Sequence, residues 1–184
     1  VSGNGARLIS LDGVNARSLK EAARTAAVAN RRHKAGVSLW GASGIFDELT
    51  VADPDAGIPS PRTLLLLYAA DLAFRLRWEI RPALDEGRLV IAAPYVSTPI
   101  AFGQAAGLDP VWLADLFHFA PAPSEHRVID PAAKHAADRT GFIEFAWLRL
   151  EKRLGGLTRL QLLDRTGRHL KASAKRALRT TKTP

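Results

Sequence analysis

The chain has 184 residues, enough for one domain with a large core, and its 47% hydrophobic content excludes wholesale disorder. It contains no cysteine, which excludes disulfides, zinc–thiolate sites and thiol catalysis and fits a cytoplasmic setting. The formal charge of +8 is unevenly placed, since residues 151–184 hold ten Lys/Arg against two acids and residues 1–150 hold sixteen of each.

That asymmetry points to a basic interaction face at the C-terminus, with an acidic or nucleic-acid partner, on an electrically neutral body. The first residues, VSGNGAR, lack the apolar stretch of a signal peptide. The longest apolar run, Leu64 to Ala70, is far too short to cross a membrane, so no membrane partner is expected.

Arg7 to Leu11 is a short apolar run of strand type, Asp12 to Ser18 a small-residue loop, and Leu19 to Asn30 an Ala-rich helix. A strand entering a helix through such a loop is the geometry that cradles an anion on backbone N–H groups and the helix dipole. A working phosphate loop reads G-x-x-x-x-G-K-[ST]. Counted from Gly13, its second Gly falls on Ser18, its Lys on Leu19 and its Ser/Thr on Lys20. The frame is there and its chemistry is not. Gly13, Asn15, Arg17, Ser18 and Lys20 are the candidates for a residual nucleotide or phosphate contact, weighed against a plain strand-to-helix turn.

The cluster Arg31, Arg32, Lys34 followed by Gly36 stops the first helix, and Val37 to Trp40 reads as a second strand. Gly41 to Gly44 is a small-residue loop, Ile45 to Val51 a helical turn, and residues 52–61 a Pro/Asp loop. Ser60-Pro61 supplies an N-cap and a first-turn proline for a helix running to about Arg81, where Pro82 kinks or ends it. Arg88 to Ala93 is a third strand. Residues 96–107 turn and become helical, and Asp109-Pro110 caps another helix. His126 to Ile129 reads as a fourth strand, and Asp130-Pro131 caps a further helix. Phe142 to Leu154 is an amphipathic helix stopped by Gly155-Gly156. Leu160 to Leu163 reads as a fifth strand, followed by a basic helix at about 166–184, densest from Arg168 to Arg179. Alternating strands and helices predict a single α/β domain over residues 1–184, a central parallel five-stranded sheet with helices on both faces. Ligands in such folds bind at the C-terminal strand ends.

Residues 60–113, SPRTLLLLYAADLAFRLRWEIRPALDEGRLVIAAPYVSTPIAFGQAAGLDPVWL, resemble the thymidylate kinase family of P-loop nucleoside monophosphate kinases in both order and spacing. That family has a long helix containing LLLFAADRA, then IRPAL, a strand ending in a DRY-like triplet, a Ser-x-x-Ala-Tyr turn and a Gly-Leu-Asp segment. Weaker matches lie at LDGVNARSLKEA and VIDPAAKHAADR. The resemblance implies a three-layer P-loop NTPase fold, a homodimer packed through helices, and a nucleotide ligand. It places the family's loop acid on Asn15, the Asp-Arg of its triplet on Ala93-Pro94 and its substrate-phosphate Arg on Leu72. The thymine-stacking aromatic falls on Tyr68, the base-contacting turn on Thr98 with Phe102 for Tyr, and the remnant of an Arg-rich lid on Lys134 and Arg139. With Arg75 and Tyr95, these residues make the base-pocket and lid candidates. No catalytic residue and no metal ligand is assigned. The resulting expectation is a kinase fold that binds a nucleotide or a protein without ordinary phosphoryl transfer. One alternative is an active kinase with rearranged phosphate contacts, using ATP, Mg²⁺ and dTMP. The other is a nucleic-acid-associated protein acting through the basic C-terminus.

Plainer roles stand beside each of these. Tyr68 on an apolar helix suits core packing, and Arg75, Arg77 and Arg81 suit solvated helix charges. Five histidines without ligand spacing do not make a metal site. Ser18 and Ser43 have no adjacent His to activate them. Trp40, Trp78, Trp112 and Trp147 suit core or interface positions.

Overall fold

A computed structural model describes residues 6–41, 59–130, 140–150 and 153–180. The expected turn at 45–51, most of the Gly41–Gly44 and 52–61 loops, the helix after Asp130-Pro131 and the lid candidates Lys134 and Arg139 lie outside the described residues.

The sheet is built from β1 (Arg7–Asp12), β2 (Gly36–Leu39), β3 (Leu89–Ala93) and β4 (Glu125–Val128), all parallel, in the order β2-β3-β1-β4. The register pairs Leu8 with Val90 and Ile9 with Ile91. Side chains alternate faces along a strand, and the two central strands use both. Ile9, Leu11, Leu89, Ile91 and Ala93 pack on Leu19, Ala23 and Ala26 of α1 (Ala16–Ala29). Leu8, Val90 and Ala92 face the larger core on the other side. Central parallel strands buried on both faces read as continuous apolar runs for this reason.

The larger core is roofed by helices. α2 (Pro61–Arg75) starts where Ser60 accepts the Thr63 N–H at 3.1 Å. It buries Leu64, Leu65, Tyr68 and Leu72. A π-turn (Leu76–Ile80) then leads into α3 (Arg81–Asp85), with the Arg81 N–H reaching back to Leu76 O. Pro82 has no N–H and its ring would press on the preceding turn. The widened turn before it lets the helical path continue. α4 (Ser97–Ala105) and α5 (Pro110–Phe117) follow, the latter capped by Asp109, which accepts from Val111 N–H at 2.6 Å. A Cβ on Gly103 would lie 2.5 Å from Leu113, so only glycine lets α4 and α5 approach this closely. α6 (Phe142–Leu150) buries Phe142, Phe145 and Leu150; Gly155 and Gly156, at positive φ, turn the chain beyond it.

The last helix corrects the expected fifth strand. Residues 160–163 belong to α7 (Arg159–Thr180), and the sheet has four strands among the described residues. Thr158 accepts the Gln161 N–H at 3.3 Å while Gln161 Oε1 accepts the Thr158 N–H at 2.8 Å. This reciprocal capping box nucleates a helix, and Leu162, Thr166 and Leu170, four apart, form its buried stripe. The basic helix therefore begins well before residue 166.

Candidate functional site

β1 and β3 deliver the chain to one end of the sheet, where the first loop meets the β3–α4 turn. Asp12, the last residue of β1, is fully buried. Its Oδ1 accepts from Tyr95 N–H at 3.0 Å, Thr98 N–H at 2.8 Å and Thr98 Oγ1 at 2.8 Å, and His126 Nε2 lies 3.3 Å from its Oδ2. Thr98 Oγ1 in turn accepts the Gly13 N–H at 3.0 Å. Gly13 has to be glycine, because a Cβ there would lie 2.7 Å from Ile129 O.

α1 starts at Ala16, so only Gly13 to Asn15 separate it from β1. Asn15 is the N-cap, and its Oδ1 accepts the Ser18 N–H at 2.9 Å and the Ser18 hydroxyl at 3.2 Å. Leu19 turns inward, 3% exposed, against the sheet. Lys20 reaches the other way and donates to Thr140 Oγ1 at 2.6 Å. Arg17 is exposed. Backbone donors that would hold an anion are thus engaged within the chain at Gly13 and Ser18.

Beside this loop opens a cleft of about 480 Å³. Gly13, Asn15, Leu19, Lys20 and Thr98 line one side, Trp40 and Phe142 the apolar floor, and Glu144, Arg159, Asp164, Arg168 and Lys171 the far side. Its charges are paired: Arg159 with Glu144 at 2.7 Å, Arg168 with Asp164 at 2.9 Å, and Lys171 with Asp130 at 2.9 Å. The last two are exposed and worth no more than about 1 kcal/mol each.

The other candidates lie behind that floor. The Tyr68 hydroxyl donates to the Pro94 and Tyr95 carbonyls at 2.9 and 2.7 Å. Its ring meets Phe142 at 4.7 Å and stacks on Trp40 at 6.5 Å. Phe102 is buried against Phe142, and the Tyr95 hydroxyl donates to Pro121 O at 2.9 Å. Arg75 is 2% exposed, ion-paired to Asp71 at 2.8 Å and directed at Pro94 O. It is not a solvated helix charge. Burial pushes the Tyr68 hydroxyl well above its usual range and that of Tyr95 up to about 12. Burial also raises the Asp71 carboxyl despite the adjacent guanidinium. For Arg75 burial works against the charge, but Tyr68 and Asp71 more than offset it.

Gly13, Asn15, Lys20 and Thr98 therefore meet at the cleft. Ser18 lines a shallower groove with Arg127 and Asp130, and Tyr68, Arg75, Tyr95 and Phe102 are core residues here. Sequence reasoning missed Asp12, Trp40, Phe142 and the Glu144–Arg159 pair as site residues. Asp12 carried a readable signal, a carboxyl at the C-terminal end of the first strand. The donors at the cleft differ from those the resemblance implies for magnesium. Among the described residues no three acidic or His side chains converge. Lys20, a cation, stands where the resemblance puts the metal's hydroxyl ligand, and the carboxyls of the cleft are committed to Arg and Lys.

Comparison with known proteins gives a consistent picture. No protein-family model matches the chain. A protein of Pyrococcus abyssi named "Probable thymidylate kinase" is 37% identical over 75 residues, which are 41% of this chain and 37% of the relative. The thymidylate kinase of Syntrophotalea carbinolica is 46% identical over 57 residues, 30% of this chain and 26% of the relative. The matched region thus spans between about a quarter and little more than a third of these relatives' length. The crystal structure of thymidylate kinase from Ehrlichia chaffeensis superposes with a TM-score of 0.63 at 14% identity, covering 94% of this chain and 84% of that one.

Proposed function

We propose, from its similarity to thymidylate kinases, that this chain keeps the family's cleft for ligand binding and does not carry out phosphoryl transfer at a kinase's rate. The observation that carries this reading is the start of α1. Asn15 caps the helix from within, and a buried Leu19 holds the position of the loop lysine. Phosphoryl transfer relies on positioning and charge stabilisation, and losing one such donor commonly costs about 10²–10³ in rate. The lysine, the metal-binding hydroxyl, the Asp-Arg pair and the substrate-phosphate arginine are replaced by Leu19, Lys20, Ala93-Pro94 and Leu72.

The floor supports the same reading. Tyr68, at the family's thymine-stacking position, has its ring against Trp40 and Phe142 of the chain itself. The ligand side of the proposal is a nucleoside-sized molecule in the remaining space of about 480 Å³.

The test is a coupled assay with dTMP, ATP and Mg²⁺, run beside a thermal-shift series with thymidine, dTMP and ATP. We expect no turnover above background together with stabilisation by at least one of these ligands. Turnover at about 1 s⁻¹ or faster, the ordinary kinase range, refutes the reading. It would favour an active kinase in which Lys20, whose ammonium lies at the cleft, replaces the lost lysine. Lys20→Met would then abolish turnover.

We also propose a homodimer through the outer face of α2 and the π-turn. Leu66, Phe74 and Trp78 stand exposed there at four- and eight-residue spacings, and apolar patches of this kind mark association surfaces. Sedimentation of Phe74→Asp against the parent checks it; a parent that is monomeric at high concentration ends it.

A further inference from the structure

We infer that the exposed face of α7 is a docking surface for duplex DNA. The helix buries Leu162, Thr166 and Leu170 against the body. At about 100° per residue, Arg165, Arg168, Lys171, Lys175 and Arg176 fall within about 140° of one another on the side away from that stripe. All five are exposed. From Arg165 to Arg176 they run for about 16 Å along the axis. No residue from Lys171 to Arg176 is buried, and Lys175 and Arg176 stand exposed beyond the point where Lys171 reaches Asp130 of the body.

Among the described residues two acids face the same stripe, Asp164 beside Arg168 and Asp130 beside Lys171, in pairs whose side chains are all about two-thirds exposed. Exposed pairs are weak and exchange readily for phosphate. Five cations over two acids leave a surplus of one sign in a line, the electrostatic footprint of a polyanion.

Chemistry separates the partner classes. A protein interface is anchored by aromatic and aliphatic side chains in a dry centre, whereas this face offers only Gln, Asp, Arg, Lys and Ala between residues 161 and 176. A membrane-surface helix needs its apolar side free, and here that side is spent on the core. The major groove of B-DNA, about 12 Å wide, admits a helix of about 10–12 Å. The major groove of duplex RNA does not. With no stacking aromatic on the stripe, single strands are not favoured either.

The test is fluorescence anisotropy of the full chain with a short labelled DNA duplex across a salt series. About four phosphate contacts predict a slope near −3.6 in log affinity against log salt, a loss of about 150-fold between roughly 50 and 200 mM. Lys175→Gln with Arg176→Gln should flatten the slope by about two units, and the same pair changed to Glu should weaken binding further. Arg31→Gln with Arg32→Gln removes equal charge from an exposed turn elsewhere and should leave the slope unchanged. Thermal melting of each variant at the parent temperature confirms that the fold is intact. No binding at low salt overturns the inference, and so does an equal effect of the Arg31/Arg32 variant. Tighter binding of duplex RNA, of single-stranded DNA or of polyglutamate overturns it in favour of that partner.

Discussion

Thr98→Val is the sharpest test of how the cleft is held. The Thr98 hydroxyl donates to Asp12 Oδ1 at 2.8 Å and accepts the Gly13 N–H at 3.0 Å, all of it buried. Valine matches the volume of threonine but can make neither bond. The Gly13 N–H is left buried without an acceptor, about 1–3 kcal/mol, and Asp12 loses one of its three donors to Oδ1, about another 1–2 kcal/mol. The expected loss is therefore about 2–5 kcal/mol, with a midpoint of about 3.5. For a chain of this length that is a fall in melting temperature of about 10 °C. Urea denaturation read by circular dichroism measures it, with an unchanged m-value as the sign that only stability moved. Thr98→Ser keeps the hydroxyl and gives up one methyl, so it should cost about 1 kcal/mol. If Val and Ser prove equal, or Val costs under about 1 kcal/mol, the strand-end network does not hold the first loop.

Three further outcomes follow from the same geometry. The Tyr95 hydroxyl is pushed up to about 12 by burial, against about 10 in the unfolded chain. Between those values the unfolded chain gives up a proton that the folded one keeps. Stability is thus full below about pH 10 and declines by roughly 2–3 kcal/mol toward pH 12. Tyr95→Phe should flatten the alkaline limb of a stability–pH curve, and an identical limb would contradict the assignment. Asn15→Ala removes the α1 cap and should cost about 1 kcal/mol in chemical denaturation; a neutral result would mean that another acceptor serves the Ser18 N–H. Phe142→Ala, at the centre of the Trp40, Tyr68 and Phe102 contacts, should cost about 3–5 kcal/mol. A loss below about 1 kcal/mol would show the floor to be loosely packed.

Local chemistry made most of the scaffold readable. Ser60-Pro61 and Asp109-Pro110 announce helix starts by themselves, because cap and first-turn proline act within one turn. The apolar runs at Leu8, Leu89 and their neighbours are strands because nothing else buries both faces of so short a segment. Leu160 to Leu163 misleads by the same rule. Its four-residue window looks like a buried strand, while the deciding information is Thr158 with Gln161 ahead of it and Thr166 and Leu170 behind. The site was harder to read. Gly13 and Asn15 were visible as loop residues and Lys20 at the start of the helix behind them, but Phe142, the aromatic partner of Tyr68, lies 74 positions away from it in the chain. Whether a guanidinium such as Arg75 is solvated or buried also depends on Asp71 and on the distant Pro94 carbonyl.

The strand order carries a consequence for biosynthesis. β1 is made before both of its neighbours, Leu89–Ala93 and Glu125–Val128. Its backbone groups have no ladder partner until Leu89–Ala93 has been made, and one edge stays open until Glu125–Val128 follows. Contacts of such sequence separation close slowly, and an apolar strand waiting that long is exposed to mispairing with other nascent chains. Early engagement by a holdase, or slow synthesis through residues 89–128, should raise the yield of native protein, and fusions truncated before Glu125 should accumulate as aggregates.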